Sequence, residues 1–418
     1  MLICVISRTL VLCRLVSPSI DFDVLVVGSG AAGLAAAVSA DRAGARVGLV
    51  TKGSLQSCNS GKAQGGIQAA LGEDDSPEQH ADDVWRSSHE TADRRLVEVL
   101  TTEAPAAISW LEGLGVEFTR DGEGYRLARC GGASRRRLLQ VGDRTGHAIT
   151  KGLRDAFEAS RGVALPHHPL LSLEAGRERW RATCECAGDG ELVVIEAATV
   201  VLAAGGRCWR EAERRGELST NHPGATGEVT QIALEAGAGA RDLDALQYHP
   251  NGGAWPPNLQ GYSIPETTRA YGATLLNAER EEFTDPLGPR DVVSAAIVKE
   301  VEEGRGTLTD DGRPAVWLDT TRIPKADAEI SLPYMLRRYR AAGIDPLGEP
   351  LLTYPVLHYQ NGGLVIDEHA ETTLAGLYAC GEIAGGTHGR NRMMGNSLLE
   401  CCVFGRRAGG AAAERAAA

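Results

Sequence analysis

The clearest pattern of hydrophobic and polar positions lies in residues 21–52, where two apolar runs flank a glycine-rich turn. Val24 to Val27 form an unbroken apolar run, which is typical of a parallel strand buried on both faces. Small residues from Ala31 to Ala43 favour a helix, and Gly44 suits the left-handed position that ends one. Residues 46–50 supply a second strand. The pattern therefore predicts a strand–helix–strand unit.

Further helices and a β-meander are predicted beyond this unit. Helical periodicity occurs at residues 80–89 and at residues 96–115, where a single helix ends in a glycine stop. Thr145 is expected to cap another helix. Residues 170–196 alternate between apolar and polar side chains, which predicts a β-meander leading into a separate buried strand at residues 199–202.

The composition changes at residues 248–355, which hold most of the prolines, few predicted buried strands and a charged helix at residues 291–303. We interpret this stretch as an inserted capping domain of α+β type. Residues 1–20 are expected to be a disordered extension, because Arg14 interrupts the unbroken apolar core that a signal peptide needs. The predicted domains are the extension at 1–20, a discontinuous first domain at 21–247 and 356–418, and the capping domain at 248–355.

Composition and charge exclude several classes of function. A net charge of -12 argues against nucleic acid as a partner, because neutralising phosphates needs clustered Lys and Arg. The ten cysteines show neither C-x-x-C nor zinc-like spacing, so we predict no metal site and reduced thiols in the cytoplasm. No stretch reaches the roughly twenty uncharged apolar residues of a membrane-spanning helix. These properties indicate a globular protein that acts on small molecules.

The turn after the first strand carries Gly28, Gly30 and Gly33 in the pattern G-x-G-x-x-G. The first glycine permits a tight turn, the second lets the backbone approach a pyrophosphate, and the third lets helix and strand pack closely. The second strand ends at Lys52 without the acidic residue that holds the ribose of NAD. The unit therefore predicts a dinucleotide site in which FAD is the better candidate.

Five segments together resemble the family of succinate dehydrogenase and fumarate reductase flavoprotein subunits and L-aspartate oxidase. The resemblance covers residues 21–405, in the family's order, and the joint pattern is more specific than any single piece. The segments are the glycine turn, Ala63-Gln-Gly-Gly-Ile, Ala225-Thr-Gly-Glu with Gln247-Tyr-His-Pro, Pro289-Arg-Asp-Val-Val, and Gly381-Glu through Asn391-Arg-Met-Met-Gly-Asn-Ser-Leu-Leu-Glu400.

The resemblance implies an α/β fold: a Rossmann-like FAD-binding domain with a parallel sheet and a β-meander, an inserted capping domain, and no C-terminal helical domain. It also implies that FAD lies along the first domain, with Glu382 accepting hydrogen bonds from ribityl hydroxyls. Asn59 stands where covalent family members carry a histidine, so the FAD is expected to be non-covalent. The implied cofactor-binding residues are Gly28, Ser29, Gly30, Ala31, Ala32, Gly33, Lys52, Asn59, Ser60, Ala63, Gln64, Gly65, Gly66, Glu228, Glu382, Ser397 and Leu398.

Family members move a hydride between a dicarboxylate and the flavin, which requires cations for two carboxylates and a proton donor in a dry site. By resemblance His249, His358 and Arg392 bind carboxylates. Arg290 is the implied proton shuttle, and Glu266 and Arg269 match the relay that supplies it. Residues alone would have suggested Arg290 only as a carboxylate clamp. The other histidines, including those at positions 167, 168 and 369, are interpreted as surface residues.

Three positions depart from the family pattern. Cys130 occupies the position at which L-aspartate oxidases carry a glutamate that helps to recognise the substrate amino group. Asn251 follows His-Pro where the family usually has threonine, and Pro265 replaces the threonine before the relay glutamate. These departures bring some substrate-carboxylate contacts of the family into question. The missing helical domain would expose part of the core unless a partner chain or a short helix covers it.

The sequence thus predicts an FAD-dependent oxidoreductase of the succinate/fumarate type in the cytoplasm, with a small dicarboxylate as substrate. L-aspartate oxidase, forming iminoaspartate for NAD synthesis, is the close alternative, because Cys130 disfavours aspartate whereas Asn59 favours a soluble enzyme. A catalytically idle, shortened flavin-binding subunit is a further alternative. The electron acceptor is left open among a partner protein, oxygen and a quinone, and a partner is the expected route to any membrane association.

Overall fold

The structure, a computed structural model, describes residues 19–418. The predicted disorder of residues 1–20 falls almost entirely outside the described residues, except that Ile20 begins the first strand and pairs with Ile195. Two single-turn 3₁₀ helices lie at Ser60–Lys62 and Pro257–Leu259.

The α-helices are α1 Ala31–Arg42, α2 Pro77–Ser87, α3 Arg94–Thr102, α4 Ala104–Glu112, α5 Thr145–Glu158, α6 Cys208–Arg215, α7 Glu228–Glu235, α8 Thr267–Ala270, α9 Arg290–Glu302, α10 Lys325–Ser331, α11 Pro333–Ala341 and α12 Asn396–Ala417. The strands are β1 Ile20–Val27, β2 Val47–Thr51, β3 Ile67–Gln68, β4 Arg120–Asp121, β5 Gly124–Tyr125, β6 Leu138–Leu139, β7 Val163–Pro166, β8 Leu170–Ala175, β9 Trp180–Glu185, β10 Leu192–Leu202, β11 Ala240–Arg241, β12 Leu246–Gly253, β13 Thr274–Leu276, β14 Thr307–Leu308, β15 Pro314–Asp319, β16 Leu351–Gln360, β17 Gly363–Val365, β18 Leu377–Ala379 and β19 Ala384–Gly385.

The larger sheet joins a parallel half to the meander through one long strand. β7, β2, β1 and β10 are parallel neighbours. The first half of β10 pairs with β9 in antiparallel fashion, and its end pairs with β18 in parallel. The sequence predicted two separate strands here, which is wrong, because pairing with β1 extends along β10 from Ile195 to Leu202. The sheet therefore carries the β1–α1 glycine turn at the carboxyl ends of its parallel strands, where open α/β sheets bind ligands.

Two local predictions about helices also need correction. Residues 96–115 form two helices rather than one, because Pro105 in the first turn of α4 has no N–H to continue α3. Thr145 is not the cap of α5 but its first residue. Its hydroxyl accepts the N–H of Val141 at 3.0 Å and so fixes the turn that enters the helix.

A second sheet lies within the predicted capping region. β12, β16, β15 and β13 are neighbours in that order, and β14 pairs with β15. A separate hydrophobic core, which includes Ile297, Leu318 and Tyr339, packs against it. The expectation of few buried strands in residues 248–355 is therefore wrong, because β15 and its neighbours bury most of their side chains.

The long helix α12 lies directly on α1. A Cβ atom at Gly405 would stand 2.7 Å from the carbonyl oxygen of Ala32, and one at Gly409 would stand 2.1 Å from that of Ala36. Glycine at these two positions lets the helix backbones touch and positions the first turn of α12 beside the glycine turn. Among the helices of residues 19–418, none combines the length and apolar character needed to cross a membrane.

Candidate active site

A cavity of about 890 Å³ extends from the β1–α1 turn to the second sheet. This volume lies within the range of small-molecule and cofactor sites. Every predicted cofactor-binding residue lines the cavity except Ala31 and Gly33, and every predicted catalytic residue lines it except Arg269. Positions that are far apart in sequence are therefore brought to one continuous space.

The glycine turn has the geometry of a dinucleotide cradle. Gly28 has φ +113, and a Cβ there would lie 2.4 Å from the carbonyl oxygen of Ala203. Gly33 packs so closely that its Cβ would lie 1.9 Å from the Gly28 oxygen. At Gly30 the nearest protein atom to a Cβ is the Ser60 hydroxyl at 3.4 Å, so a side chain would occupy cavity space instead. This opening faces a helix start without a side-chain cap, as phosphate binding requires.

The loop after β2 contributes Lys52 and Asn59 to the cavity wall. The Lys52 ammonium forms an ion pair with Glu228 and donates to the Thr226 hydroxyl at 2.9 Å. The Asn59 amide donates to Asn221 at 2.8 Å and accepts the N–H of His222 at 2.6 Å. Asn59 is therefore engaged by the protein on both sides of its amide. Its amide also lacks the nucleophilic imidazole needed for the family's histidyl link.

Gln64 ties this loop to the second sheet region. Its amide donates to the Ser263 carbonyl at 2.7 Å and accepts from the Tyr262 hydroxyl at 2.6 Å. The neighbouring Gly65 is close to Met394, since a Cβ there would lie 2.6 Å from the Met394 methyl carbon. The loop predicted to contact the flavin is thus held from both sides.

Glu382 follows β18 and lines the cavity while lying fully within the protein. Its carboxyl accepts the N–H of Gln360 at 3.0 Å. Burial outweighs that hydrogen bond and raises the pKa of Glu382 to about 7. Ser397 and Leu398 lie in the first turn of α12 at the same wall, which is a position suited to a cofactor held by backbone N–H groups.

His249 and His358 meet at the opposite end of the cavity, with ring centroids 4.9 Å apart. Nδ1 of His249 accepts the N–H of Asn251 at 3.0 Å, which leaves the proton on Nε2. His358 contacts the Thr220 hydroxyl through Nδ1 at 2.7 Å. Burial, and then the charge of Arg290, lower the pKa of both histidines well below the ordinary 6.5. Both rings are therefore neutral hydrogen-bonding groups.

Gln247 joins the two arginines of the site. Its side-chain oxygen accepts from Arg290 at 3.2 Å and from Arg392 at 3.1 Å. Arg392 also donates to the Ser397 hydroxyl at 3.2 Å. Burial, and then the neighbouring charge of Arg290, lower the pKa of Arg392 to about 10, so it stays charged at neutral pH. Both guanidinium groups are thus fixed within one small polar cluster.

Glu266 connects Arg290 to Arg269. Nε of Arg290 donates to Glu266 at 2.6 Å, and Arg269 lies 3.5 Å from the other carboxylate oxygen. Burial alone would raise the pKa of Glu266, but the charges of Arg290 and Arg269 outweigh it and hold the pKa below its usual range. Burial lowers the pKa of Arg269. Arg269 lies behind the cavity wall and contacts the predicted shuttle only through this carboxylate.

Sequence reasoning missed four residues that contact the predicted site. Gln247 and Thr220 hold the arginines and His358, Tyr359 lies against Arg392, and His168 lines the cavity although it was predicted to be a surface residue. Gln247 could have been found, because it stands two residues before His249 and side chains two apart on a strand share a face.

The three family departures fall at different distances from the cavity. Pro265 lines it, whereas Asn251 is buried beside His249 and donates to the Thr268 hydroxyl at 3.3 Å. Cys130 is buried behind the wall, 3.2 Å from the amide nitrogen of Gln68. Burial raises the pKa of the Cys130 thiol to about 12, so this position carries no charge.

Within residues 19–418 no cluster of His, Cys, Asp or Glu side chains could hold a metal ion. Each cysteine of this part of the chain is a free thiol. The polar chemistry of the described site therefore comes from histidine, arginine and carboxylate groups.

Residues 23–398 match the family described as "FAD binding domain". The chain is 37% identical to an L-aspartate oxidase of Streptomyces coelicolor, over 93% of this chain and 68% of that protein. It is 36% identical to a protein of the fumarate reductase (CoM/CoB) of Methanothermobacter marburgensis, over 95% of this chain and 73% of that protein. A structure of Escherichia coli quinol fumarate reductase superposes with a TM-score of 0.88 at 30% identity, covering 96% of this chain and 71% of that chain.

The sequence prediction of the family is thereby confirmed, together with its α/β fold and its cofactor. The glycine cradle, the uncapped start of α1 and the continuous cavity fit that cofactor. The chain belongs to the FAD-binding family of fumarate reductase and succinate dehydrogenase flavoproteins and L-aspartate oxidase, and it is an FAD-dependent oxidoreductase.

Proposed function

We propose that this chain interconverts a four-carbon dicarboxylate of the succinate/fumarate type, using non-covalently bound FAD. The observation that carries the proposal is that each carboxylate lining the cavity already has a partner within the protein. Glu266 pairs with Arg290, Glu228 with Lys52, Asp143 accepts two backbone N–H groups, and Glu382 accepts another. A substrate ammonium group would find no free carboxylate, whereas a dicarboxylate needs none.

The charge balance of the cluster supports the same conclusion. Three buried guanidinium groups, on Arg269, Arg290 and Arg392, face one carboxylate, Glu266, while both histidines are neutral. Two positive charges therefore remain uncompensated in a buried site, which is costly unless a ligand supplies the opposite charge. A dicarboxylate supplies two negative charges and offers both guanidinium forks a bidentate acceptor.

We assign His249, His358 and Arg392 to the substrate carboxylates. Neutral imidazoles donate hydrogen bonds through Nε2 without adding repulsion between cations. Bound FAD supplies the acceptor or donor of the hydride. Arg290 holds the proton that reaches the carbon next to the hydride-accepting carbon when fumarate becomes succinate, and Glu266 returns a proton to Arg290 from Arg269. The 2.6 Å contact between Arg290 and Glu266 supports this order.

The cofactor-contacting residues are proposed from the same cavity. The first turn of α1 and Ser29 are assigned to the pyrophosphate, and Lys52 and Glu228 to the adenosine end. The loop of Asn59 to Gly66 is assigned to the flavin, and Glu382 to a hydroxyl group of the chain between them. Support comes from their position along one continuous wall. The free thiols of the described chain support a reducing compartment, the cytoplasm.

The test mixes the purified FAD-loaded protein with succinate or with L-aspartate in the absence of oxygen and follows the visible flavin absorbance. Succinate should bleach the flavin and aspartate should not, and fumarate should restore the colour. Arg290→Lys is the matched control, because it should retain FAD without being bleached. Bleaching by neither compound would refute both substrate assignments and favour the catalytically idle flavin-binding protein.

L-aspartate oxidation remains the second candidate, because the Streptomyces coelicolor relative at 37% identity bears that name. In this case Cys130 would have to be dispensable for amino-group recognition, which its burial outside the cavity wall allows. Bleaching by aspartate alone would establish this alternative. Adding oxygen, a quinone or a soluble electron carrier to the bleached protein then identifies the acceptor by the rate at which the colour returns.

A further inference from the structure

A row of three buried side chains lies behind Arg392, on the side away from Gln247. The guanidinium carbon of Arg392 stands 4.1 Å from the centre of the Tyr359 ring. The Tyr359 hydroxyl donates to Glu400 at 3.2 Å, and Nε2 of His388 contacts the same carboxylate oxygen at 2.9 Å. We call Tyr359, Glu400 and His388 the tyrosine support. Glu400 has no exposed surface, and the other two side chains are nearly as buried.

Arg392 differs from the other cations of the site in its partners. No carboxylate of residues 19–418 lies within ion-pair distance of it, whereas Arg290 and Arg269 both reach Glu266. Its hydrogen-bond acceptors are neutral oxygens, and its Nε has no acceptor. The ring face of Tyr359 is therefore the group that offers negative potential to this buried charge.

This arrangement leaves the edge of the guanidinium group free for a ligand. An aromatic ring stabilises a cation through its face, perpendicular to the N–H donors. A protein carboxylate would instead occupy those donors and compete with a substrate carboxylate. Arg392 can thus be held charged and flat without losing its fork.

Glu400 and His388 fix the tyrosine. Burial, and then the charge of Glu400, raise the pKa of Tyr359 well above the ordinary 10.0, so the phenol remains a donor. A hydrogen bond to a carboxylate increases the electron density of the phenol ring, which strengthens its attraction for a cation. The second oxygen of Glu400 has no hydrogen-bond partner. A buried carboxylate with a free oxygen is a cost to stability, as is common where a charge serves a site.

We propose that Tyr359, held by Glu400 and His388, is a positioning residue that keeps Arg392 charged and oriented to receive a substrate carboxylate. The inference rests on the proposed function, because it requires Arg392 to bind a carboxylate. It assigns the tyrosine support to ligand binding rather than to hydride or proton transfer.

The test titrates the FAD-loaded protein with malonate, a dicarboxylate that cannot be oxidised across adjacent carbons, and measures Kd by calorimetry. Tyr359→Leu should weaken malonate binding by about fivefold to thirtyfold, the value of a desolvated cation–π contact. In an Arg392→Gln background the same substitution should change Kd by less than about twofold, since its effect requires the charge. Substrate KM should rise with kcat little changed.

Tyr378→Leu is the matched control, because Tyr378 is also a buried tyrosine but its hydroxyl faces the Ala411 carbonyl of α12. It should leave Kd unchanged. If Tyr359→Leu does not retain FAD, Tyr359→Phe replaces it, with an expected weakening of about threefold that again disappears in the Arg392→Gln background.

Equal effects of the Tyr359 substitution in both backgrounds would show a structural role and overturn the inference alone. A wild-type protein that does not bind malonate would refute the proposed function and, with it, this inference. The two failures are therefore distinguishable within one set of titrations.

Discussion

Glu382 makes the stability of the FAD-free protein depend on pH in a direction that can be worked out. Its pKa is raised from 4.5 to about 7 because the carboxyl is buried. A raised pKa means that the folded state binds this proton more tightly than the unfolded state. The contribution to stability is therefore complete below pH 4.5 and is lost as the pH rises through about 7.

The magnitude follows from the shift. Each unit of pKa difference corresponds to about 1.4 kcal/mol, so the full loss between these two pH values is about 3 kcal/mol. Glu382→Gln removes the titrating group and keeps an oxygen that can accept the Gln360 N–H, which is now 3.0 Å from the carboxyl. The variant should therefore gain stability relative to the wild type as the pH rises.

The assay is urea unfolding of the FAD-free wild type and Glu382→Gln at pH values from about 5 to 8, with the difference in unfolding free energy plotted against pH. The difference should grow toward high pH by up to about 3 kcal/mol and level off above neutral pH. Glu235→Gln is the control, because Glu235 lies in solvent on α7 and escapes the burial cost. Parallel curves for wild type and Glu382→Gln would refute the reasoning.

Three further outcomes are expected. Arg290→Lys loses the fork that reaches both Glu266 and Gln247, so flavin reduction by substrate should slow by about a thousandfold while the visible spectrum shows FAD retained; a loss under tenfold would contradict the shuttle role. Glu266→Gln leaves buried arginines unpaired and should lower the unfolding free energy by about 3 kcal/mol, whereas an unchanged urea midpoint would contradict the ion-pair argument. Asp143→Ala removes the acceptor of the Tyr334 N–H at 2.9 Å at the start of α11, so amide hydrogen exchange should speed up in that first turn; unaltered exchange would mean that water replaces the cap.

The first strand–helix–strand unit was predictable because its cause is local. Gly28 and Gly44 have positive φ values, which glycine adopts without strain, and the apolar run of β1 needs no distant partner to be recognised. The break between α3 and α4 has an equally local cause in Pro105, which makes it predictable in principle. Family resemblance added the site residues, which composition and periodicity could not have supplied.

Tertiary structure decided which of these residues touch. Gln247 joins Arg290 to Arg392 only because β12 and the segment before α12, about 145 residues apart in the chain, converge. Tyr359 lies beside His358 in sequence, yet it faces Arg392 and Glu400 rather than the histidine pair, because successive strand residues point to opposite faces.

Burial in particular was invisible in the sequence. Cys130 stands at a substrate-recognition position of the family pattern but lies behind the cavity wall, while His168, interpreted as a surface residue, lines the cavity. The raised pKa of Glu382 and the lowered pKa of His249 are likewise consequences of packing. The sequence by itself determined the dinucleotide unit and the residue types available for chemistry. Their charge states and mutual contacts arise only when distant segments exclude water from one shared space.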